Sequence, residues 1–283
     1  MTFNHYKPEV WAAEFIVQLR KLLVYAGPQI VNHDYEGDIQ QHGDTVHISG
    51  MGAVTVGDYT GTVTYQDVDD TGTTLVIDQQ KYFGVKVKDV DKAQALNGGA
   101  AVAQIMQNAA YALSDAADQF VAAKYTDISA GNVLPAVTDF TTDKGTAYDT
   151  LVDLGVLLDE VNVPTEGRYA VVPPWYHGIL RKDPNFINAS KSGSTRPLLN
   201  GEVGEAAGFI ILKSNNVPQP SPGSTYVVQA GTPMAVSFAN QLVENEALRD
   251  PDAFTDRLRG LHVYGGKTVY PDGNVCVTCT RPS

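Results

Sequence analysis

One segment of the sequence changes its hydrophobic period abruptly, and it constrains the fold more than any other part. Residues 82–88 read YFGVKVK, in which apolar and polar side chains alternate. Phe83, Val85 and Val87 share one face of this pattern, which predicts a half-buried strand. A few residues later an alanine-rich run begins, and residues 100–125 predict one amphipathic helix about 39 Å long at about 1.5 Å per residue. The fold must therefore pass almost directly from a strand into a long helix.

The region before this strand carries negative charge only. No lysine or arginine occurs between Leu22 and Gln80. This acidic limb holds its carboxylates at Asp34, Glu36, Asp38, Asp44, Asp58, Asp67, Asp69, Asp70 and Asp78. It is rich in Gly, Thr and Asp and predicts a two-stranded projection whose first strand begins at Val46. Because a lone hairpin is marginally stable in water, the projection needs a partner surface.

A group of cations in the second half of the chain offers one candidate surface. This basic patch comprises Arg181, Lys182, Lys191 and Arg196, with only Asp183 opposing it. An acidic limb and a basic patch in one chain indicate contact between copies, because charge complementarity sets register and partner choice. The candidate inter-subunit residues are therefore Asp58, Asp67, Asp69, Asp70, Asp78 and the four cations. The alternative is an acidic face that is solvated and maintains solubility.

The remaining segments predict helices and strands in a mixed order. An amphipathic helix is predicted over 8–24, and two more helices over 148–164 and 175–184. Predicted strands are RYAVV, AGFIILK, TYVVQ, MAVSF, GLHVYGG, KTVY and NVCVTC, all after residue 167.

Charge and hydropathy exclude several classes of protein. A net charge of −12 over 283 residues opposes nucleic-acid binding by counterion release, which needs clustered Lys and Arg. The N-terminal apolar stretch is broken by Gln18, Arg20 and Lys21, and no long apolar run follows. We therefore expect no signal peptide and no membrane partner, and a soluble, cytoplasmic protein.

A short glycine-containing motif suggests a nucleotide-binding enzyme as a distant alternative. Gly266-Lys267-Thr268 resembles the end of a phosphate-binding loop. The motif requires a glycine separated from Gly266 by four residues, but Leu261 occupies that position. The motif must also open a helix, whereas KTVYP predicts a strand. A glycine-permitted bend between two strands is the favoured interpretation.

Two other segments resemble metal sites without meeting their requirements. Residues 67–78 approach a calcium loop, but Thr71 replaces a ligand, Asp78 is shorter than the usual Glu, and strands flank the segment. Cys276 and Cys279 have the spacing of half a zinc site, but residues three apart on a strand point to opposite faces. We therefore expect no metal and no cofactor. No nucleophile has identifiable partners, so no enzymatic activity is predicted.

Taken in order, these segments resemble the major capsid proteins of tailed bacteriophages, which have the Hong Kong 97-like fold. The resemblance covers nearly the whole chain and rests on several strings together. They are VWAAEFIVQLRKLLVYAGPQIVNHDYEGDIQQHGDTVHI, QKYFGVKVKDVDKAQA, GRYAVVPPWYHGILRKDP, NGEVGEAAGFIILKSNNVP and LRGLHVYGGKTVYP. The fold class implied is α+β.

The resemblance assigns a role to each region. It implies an N-terminal arm over 1–44 and an extended β-hairpin loop over 45–90 that lies across a neighbouring subunit. It implies a peripheral domain over 91–142 and 236–283, with a spine helix at 100–125. Residues 143–235 would form the axial domain, which gathers around the symmetry axes of hexamers and pentamers.

The function implied is an icosahedral shell that encloses the double-stranded DNA of a tailed phage in the virion. Its partners would be further copies of the chain, a portal, decoration proteins and a separate scaffolding protein, since no scaffolding segment precedes Trp11. Packaged DNA would be enclosed without sequence-specific binding. No Lys–Asn cross-link between subunits is assigned. An encapsulin-type compartment with protein cargo is the closest alternative.

Overall fold

The computed structural model describes most of the chain after residue 23. The described ranges are 24–34, 45–48, 54–56, 72–88, 98–138, 146–182, 204–250 and 254–282, together with the single residues 58, 61, 65, 67 and 140. The helix predicted over 8–24 lies outside these residues apart from Val24.

The described elements are helices and strands in a mixed order, and the longest two strands are consecutive in the chain. The strands are β1 (Thr45–Ile48), β2 (Thr73–Val76), β3 (Gln79–Lys88), β4 (Val133–Val137), β5 (Tyr169–Val172), β6 (Glu205–Ala206), β7 (Phe209–Lys213), β8 (Thr225–Gly231), β9 (Val236–Arg249), β10 (Thr255–Thr268) and β11 (Asn274–Thr280). The α-helices are α1 (Gly98–Ala122), α2 (Thr146–Glu160) and α3 (Pro174–Leu180). Short 3₁₀ helices cover Ala123–Asp127, Ala130–Asn132, Pro233–Ala235 and Pro271–Gly273.

One half of the molecule is a mixed six-stranded sheet in the order β4-β11-β8-β5-β7-β6. Helices α2 and α3 pack on it, because α2 repeats Leu151, Leu154 and Leu158 at helical spacing and buries all three against the sheet core. Helix α2 ends where Asn162 adopts a positive φ of 58°, a conformation that Asn tolerates at helix C-termini.

The other half is a three-stranded sheet in the order β3-β10-β9 with α1 across one face. Phe83 and Val87 of β3 pack with Leu258 of β10 against Met106 and Leu113 of α1. The alternation in residues 82–88 therefore predicted the correct face. Helical conformation runs from Gly98 to Ala122 and continues as a 3₁₀ helix to Asp127, close to the predicted range.

A buried carboxylate joins the segment 24–34 to α1. Asp118 Oδ1 accepts hydrogen bonds from the backbone N–H groups of Val24, at 2.9 Å, and Tyr25, at 2.5 Å. Tyr25 and Ile30 are fully buried in a cluster with residues of α1, β9 and β10. This part of the region that the sequence assigns to an arm therefore lies in the interior of the subunit.

The structure shows the two-stranded projection as a short pair that does not include the strand predicted over 82–88. Strand β1 pairs with β2 over four residues, Thr45–Ile48 with Thr73–Val76. Strand β3 does not pair with β1 but lies antiparallel to β10, from Gln79↔Tyr264 to Lys88↔Thr255. The reason is that β3 has an apolar face that α1 covers, and this cover requires β3 to join the sheet on which α1 packs.

The bend predicted at Gly266-Lys267-Thr268 is also wrong, since β10 runs without a break from Thr255 to Thr268. The adjacent Gly265 permits a close approach of β2 to β10. A Cβ added there would lie 2.3 Å from the carbonyl oxygen of Val76, so only glycine lets β2 pass this close to β10.

Candidate inter-subunit surfaces

The part of the acidic limb between β1 and β2 exposes large apolar side chains. Val56 is 93% exposed and Tyr65 is 91% exposed, and Val54 is also largely exposed. Asp58 and Asp67 are exposed among them. These five residues, named the loop residues below, combine uncovered apolar surface with negative charge. Apolar exposure of this kind is typical of an interaction surface.

The base of the same limb is anchored within the subunit. Val46, Ile48, Leu75 and Ile77 are buried against residues of β9 and β10, including Val263. Asp78 is exposed at this base, beside Tyr264. Burial raises the pKa of Tyr264 to about 12, and the negative charge of Asp78 adds to the shift. Asp78 is therefore part of the anchored base, whereas Asp58 and Asp67 belong to the exposed loop.

The face of the three-stranded sheet that points away from α1 carries an open groove. Cross-strand neighbours there are Tyr82 with Leu261, Gly84 with Arg259, and Lys86 with Arg257. With Glu246 and Leu248 of β9 they line the outer groove, whose volume is about 610 Å³. Tyr82 is 81% exposed and Leu248 is also exposed. The hairpin β1–β2 packs farther along the same face of β10, at Val263 and Gly265.

The outer groove is positively charged in part. Arg257 Nε donates to the buried carboxylate of Asp250 at 2.7 Å, and Arg259 Nε donates to Glu246 at 2.8 Å. Lys86 forms no ion pair within the described ranges. Lys86 is therefore available to a carboxylate from another molecule.

Two members of the basic patch lie at the end of α3. Arg181 and Lys182 are exposed there. Burial lowers the pKa of His177, and the nearby positive charges of Lys213 and Arg181 lower it further. The structure thus extends the patch by Lys213, which ends β7 on the six-stranded sheet. Sequence spacing missed Lys213, because only the pairing of β5 with β7 brings it beside α3.

The predicted contact residues therefore fall into separate groups. Asp58 and Asp67 lie in the exposed loop, Asp78 lies at the anchored base, and Arg181 and Lys182 directly follow α3. Asp69, Asp70, Lys191 and Arg196 lie outside the described residues. Where the structure describes the chain, no ion pair joins the acidic limb to the basic patch.

Sequence reasoning also missed the outer groove. The alternation in residues 82–88 already placed Tyr82 and Lys86 on the face opposite Phe83. The sequence alone carries no signal that this strand pairs with β10, and this pairing forms the groove.

The motifs that suggested chemistry occupy ordinary strand positions. Lys267 lies within β10 and opens no helix, so the phosphate-loop interpretation lacks its structural context. Cys276 and Cys279 are buried in different clusters on opposite faces of β11. Burial raises the pKa of Cys276 to about 11 and that of Cys279 to about 12, so both thiols stay protonated and inert at neutral pH.

The described residues contain neither a metal-ligating cluster nor a membrane-spanning helix. In the part of the chain that the structure describes, no three His, Cys, Asp or Glu side chains are placed to hold a metal ion. None of the helices described is both long and apolar enough to cross a membrane.

Comparison with known proteins gives a consistent result. The family model described as phage capsid protein matches residues 72–277. No curated protein matches the chain. A solved structure from Mycobacterium phage Che8 is 32% identical, covering 90% of this chain and 90% of that chain with a TM-score of 0.73.

More distant structures share the fold alone. The capsid structure of cyanophage P-SCSP1u is 19% identical, covering 86% of this chain and 85% of that chain, with a TM-score of 0.67. A virus-like particle from Pyrococcus furiosus is 11% identical, covering 95% and 98%, with a TM-score of 0.54. The α+β arrangement is thus the Hong Kong 97-like fold that the resemblance predicted. The chain belongs to the phage capsid protein family and is a structural, shell-forming protein of the virion.

Proposed function

We propose that this chain forms the hexamers and pentamers of an icosahedral shell that encloses the double-stranded DNA of a tailed phage. The observation that carries the proposal is the loop between β1 and β2. Its base is anchored by Leu75 and Ile77, whereas Val56 and Tyr65 are left almost fully exposed. A loop that is held firmly at its base and uncovered at its apolar residues is suited to cover a neighbouring molecule.

The regions receive the following roles under this proposal. Residues 45–90 act as the extended loop, 91–142 and 236–283 as the peripheral domain, and 143–235 as the axial domain. The three-stranded sheet with α1 falls within the peripheral domain, and it also takes in β3 from the base of the extended loop. The six-stranded sheet falls mainly within the axial domain, but it takes β4 and β11 from the flanking regions. The two domains would therefore move together, because strands from both share one sheet.

The charge of the chain supports a container for DNA. A net charge of −12 would oppose adhesion of packaged DNA to the wall of the shell. Portal, scaffolding and decoration proteins are also predicted partners, and only the resemblance supports this prediction.

A protein compartment with the same fold is the second candidate. The observation that favours it is the similarity to the virus-like particle from Pyrococcus furiosus over nearly the whole chain. The two candidates differ in what the particle contains. Nuclease-protected DNA in particles purified from infected cells supports the phage shell, and protein cargo without DNA supports the compartment.

The test of assembly is a loop replacement that spares the core. A deletion that extended to residue 79 would remove β2 and the buried Leu75. The replacement is therefore limited to residues 50–71, which are exchanged for a short Gly-Ser turn. We expect a folded subunit with a normal unfolding midpoint that forms no shells by electron microscopy. The control is a Gly-Ser segment of the original length, which keeps the spacing and removes the apolar residues. Normal shells from either variant would refute the role of the loop.

A further inference from the structure

We propose that the carboxylate of Asp118 couples two distant segments of the chain, so that release of either segment from α1 weakens the hold on the other. One is the segment 24–34, and the other is the β7–β8 loop, residues 214–224. The hydrogen bonds that join both segments to this carboxylate are named the Asp118 bridge below. The inference goes beyond the proposed function, because it concerns a conformational device within the subunit that is measurable before any assembly.

The first side of the Asp118 bridge is the entry of the segment 24–34. Asp118 Oδ1 accepts hydrogen bonds from the backbone N–H groups of Val24, at 2.9 Å, and Tyr25, at 2.5 Å. Asp118 is only 3% exposed. A buried carboxylate keeps its charge at low cost only while donors replace the water that it has lost. The two N–H groups supply part of that replacement.

The second side is the β7–β8 loop. Asn216 Nδ2 donates to Asp118 Oδ2 at 3.0 Å and to Asp115 Oδ1 at 2.7 Å. Asp115 and Asp118 are three residues apart on α1 and therefore neighbours on the helix surface, where like charges repel. One amide group between the two carboxylates offsets this repulsion. The amide is held in place, because the backbone N–H of Asn216 donates to Ser214 Oγ at 3.0 Å.

Each side depends on the other through the shared carboxylate. If Asn216 leaves, Asp118 loses the donor between itself and Asp115, and its carboxylate gains by turning toward water and away from the segment. If the N–H groups of Val24 and Tyr25 leave, the buried charge loses two donors, and the same turn frees Asn216. Coupling between two sites is reciprocal, so either release should promote the other.

Apolar packing brings the same two segments to one face of α1. Tyr25 and Ile30 share a buried cluster with Val217 of the β7–β8 loop and with residues of α1. Beyond this point an open groove of about 440 Å³ lies between the loop and the end of α1, with Ala122 and Pro218 among its lining residues. The loop is therefore attached at Asn216 and Val217 and less closely packed after them.

The Asp118 bridge also links the two halves of the subunit. The β7–β8 loop connects strands of the six-stranded sheet, whereas α1 covers the three-stranded sheet. The far end of the segment is bound to β9, where the Asn32 N–H donates to the carbonyl of Val236 at 2.9 Å. A displacement of the loop relative to α1 should therefore loosen the segment at Tyr25 while Asn32 stays attached.

Hydrogen exchange of the full-length, unassembled subunit tests the coupling. Asn216→Ala removes the bridging amide and alters neither Val24 nor Tyr25. We expect the Tyr25 amide to exchange about tenfold faster or more, because a hydrogen-bonded network around a buried charge has lost one donor. The Asn32 amide should change less, since its acceptor lies on β9.

The matched control removes a neighbouring amide that is not part of the Asp118 bridge. Gln119 Nε2 donates to Asp115 Oδ2 at 2.7 Å at an exposed position on α1. Gln119→Ala should therefore leave exchange of the Tyr25 amide unchanged. An equal acceleration in Gln119→Ala and Asn216→Ala would mean that any loss of a donor to Asp115 has this effect, and it would overturn the inference.

A double variant separates the Asp118 bridge from the apolar cluster. Asp118→Asn keeps the size of the side chain and one acceptor oxygen for the backbone N–H groups, but it presents a second amide to Asn216. In this background Asn216→Ala should accelerate the Tyr25 amide no further, because the bridge is already broken. The same acceleration in both backgrounds would show that the effect passes through Val217 instead, and the inference would be wrong.

An exchange of charge supplies a rescue. Asn216→Asp adds a third carboxylate and should accelerate the Tyr25 amide more than Asn216→Ala does. Asp115→Asn in the same chain restores an amide among the three side chains, and exchange should return part of the way to the native rate. Native exchange at Tyr25 in both variants of Asn216 would refute the coupling. Failure of the native chain to form shells would overturn the proposed function and leave this result unaffected.

Discussion

His262 makes the stability of the subunit depend on pH, and substitution by leucine should remove most of that dependence. The side chain of His262 is fully buried on β10 and neither ring nitrogen has a hydrogen-bond partner. Its ring lies 5.0 Å from that of Tyr264. Burial lowers the pKa of His262 from 6.5 to about 4, because the charged imidazolium would lose its hydration without gaining a partner.

The sign of the effect follows from which state binds the proton first. The unfolded chain protonates His262 near pH 6.5, whereas the folded chain does so only near pH 4. Stability is therefore at its full value above pH 6.5, falls as the pH drops from about 6.5 to about 4, and is independent of this group below that. The pKa difference corresponds to about 3 kcal/mol at its limit.

The assay is urea unfolding of the unassembled subunit at a series of pH values between about 7.5 and 4. Asp118 also has a raised pKa through burial, and it contributes with the opposite sign, so the stability of the native chain alone is ambiguous. The difference between the native chain and His262→Leu isolates His262. We expect the variant to gain up to about 3 kcal/mol relative to the native chain as the pH falls. The control is His177→Gln, where the lost histidine is only half-buried and the gain should be smaller.

At pH 7.5 the leucine variant should be as stable as the native chain or more so, since two unpartnered buried nitrogens are replaced by apolar atoms. A difference between the two proteins that stays constant from pH 7.5 to 4 would refute the reasoning. It would mean that the imidazole has a proton acceptor or a water molecule beside it in solution.

Three further results are expected. Asp118→Ala should lower the free energy of unfolding by about 2 kcal/mol or more, seen as a lower urea midpoint, because the backbone N–H groups of Val24 and Tyr25, the second of them buried, lose their acceptor. Gly265→Ala should cost about 1–3 kcal/mol through the clash with the Val76 carbonyl, whereas Gly84→Ala, which meets no atom within 4 Å, should change the thermal midpoint little. Raising the salt concentration to about 1 M should weaken association between subunits in sedimentation experiments if loop carboxylates pair with cations, and unchanged association would count against that pairing.

Local patterns in the sequence predicted the elements and their buried faces well. The alternation around Phe83 gave the correct face of β3, and the spacing of Cys276 and Cys279 correctly placed them on opposite faces of β11. Both results follow from the period of two in a strand, which is a local property. The helix near 100–125 was predicted from alanine content and apolar spacing, which are local as well.

Long-range pairing was the part that local patterns could not predict. Strand β3 pairs with β10, whose residues lie 167 to 185 positions later in the chain, and not with β1. Nothing in the alternation of residues 82–88 identifies a partner, because any strand with a compatible face satisfies it. The requirement for glycine at position 265 has the same origin, since it arises from the approach of Val76. The outer groove depends on this pairing too, and so it could not be inferred before the sheet was known.

The charge argument changes once the pairing is known. From the sequence, Arg181 and Lys182 were the obvious partners for an acidic loop, because they are adjacent and nearly unopposed. In the structure, charge alone does not distinguish these two residues from Lys86. The exposed apolar side chain beside Lys86 does distinguish them. Surface ion pairs contribute little on their own, typically less than about 1 kcal/mol, so they cannot hold a shell contact without apolar burial. The face that exposes Tyr82 beside Lys86 offers both kinds of contact, whereas Arg181 and Lys182 offer charge without an exposed large apolar side chain nearby.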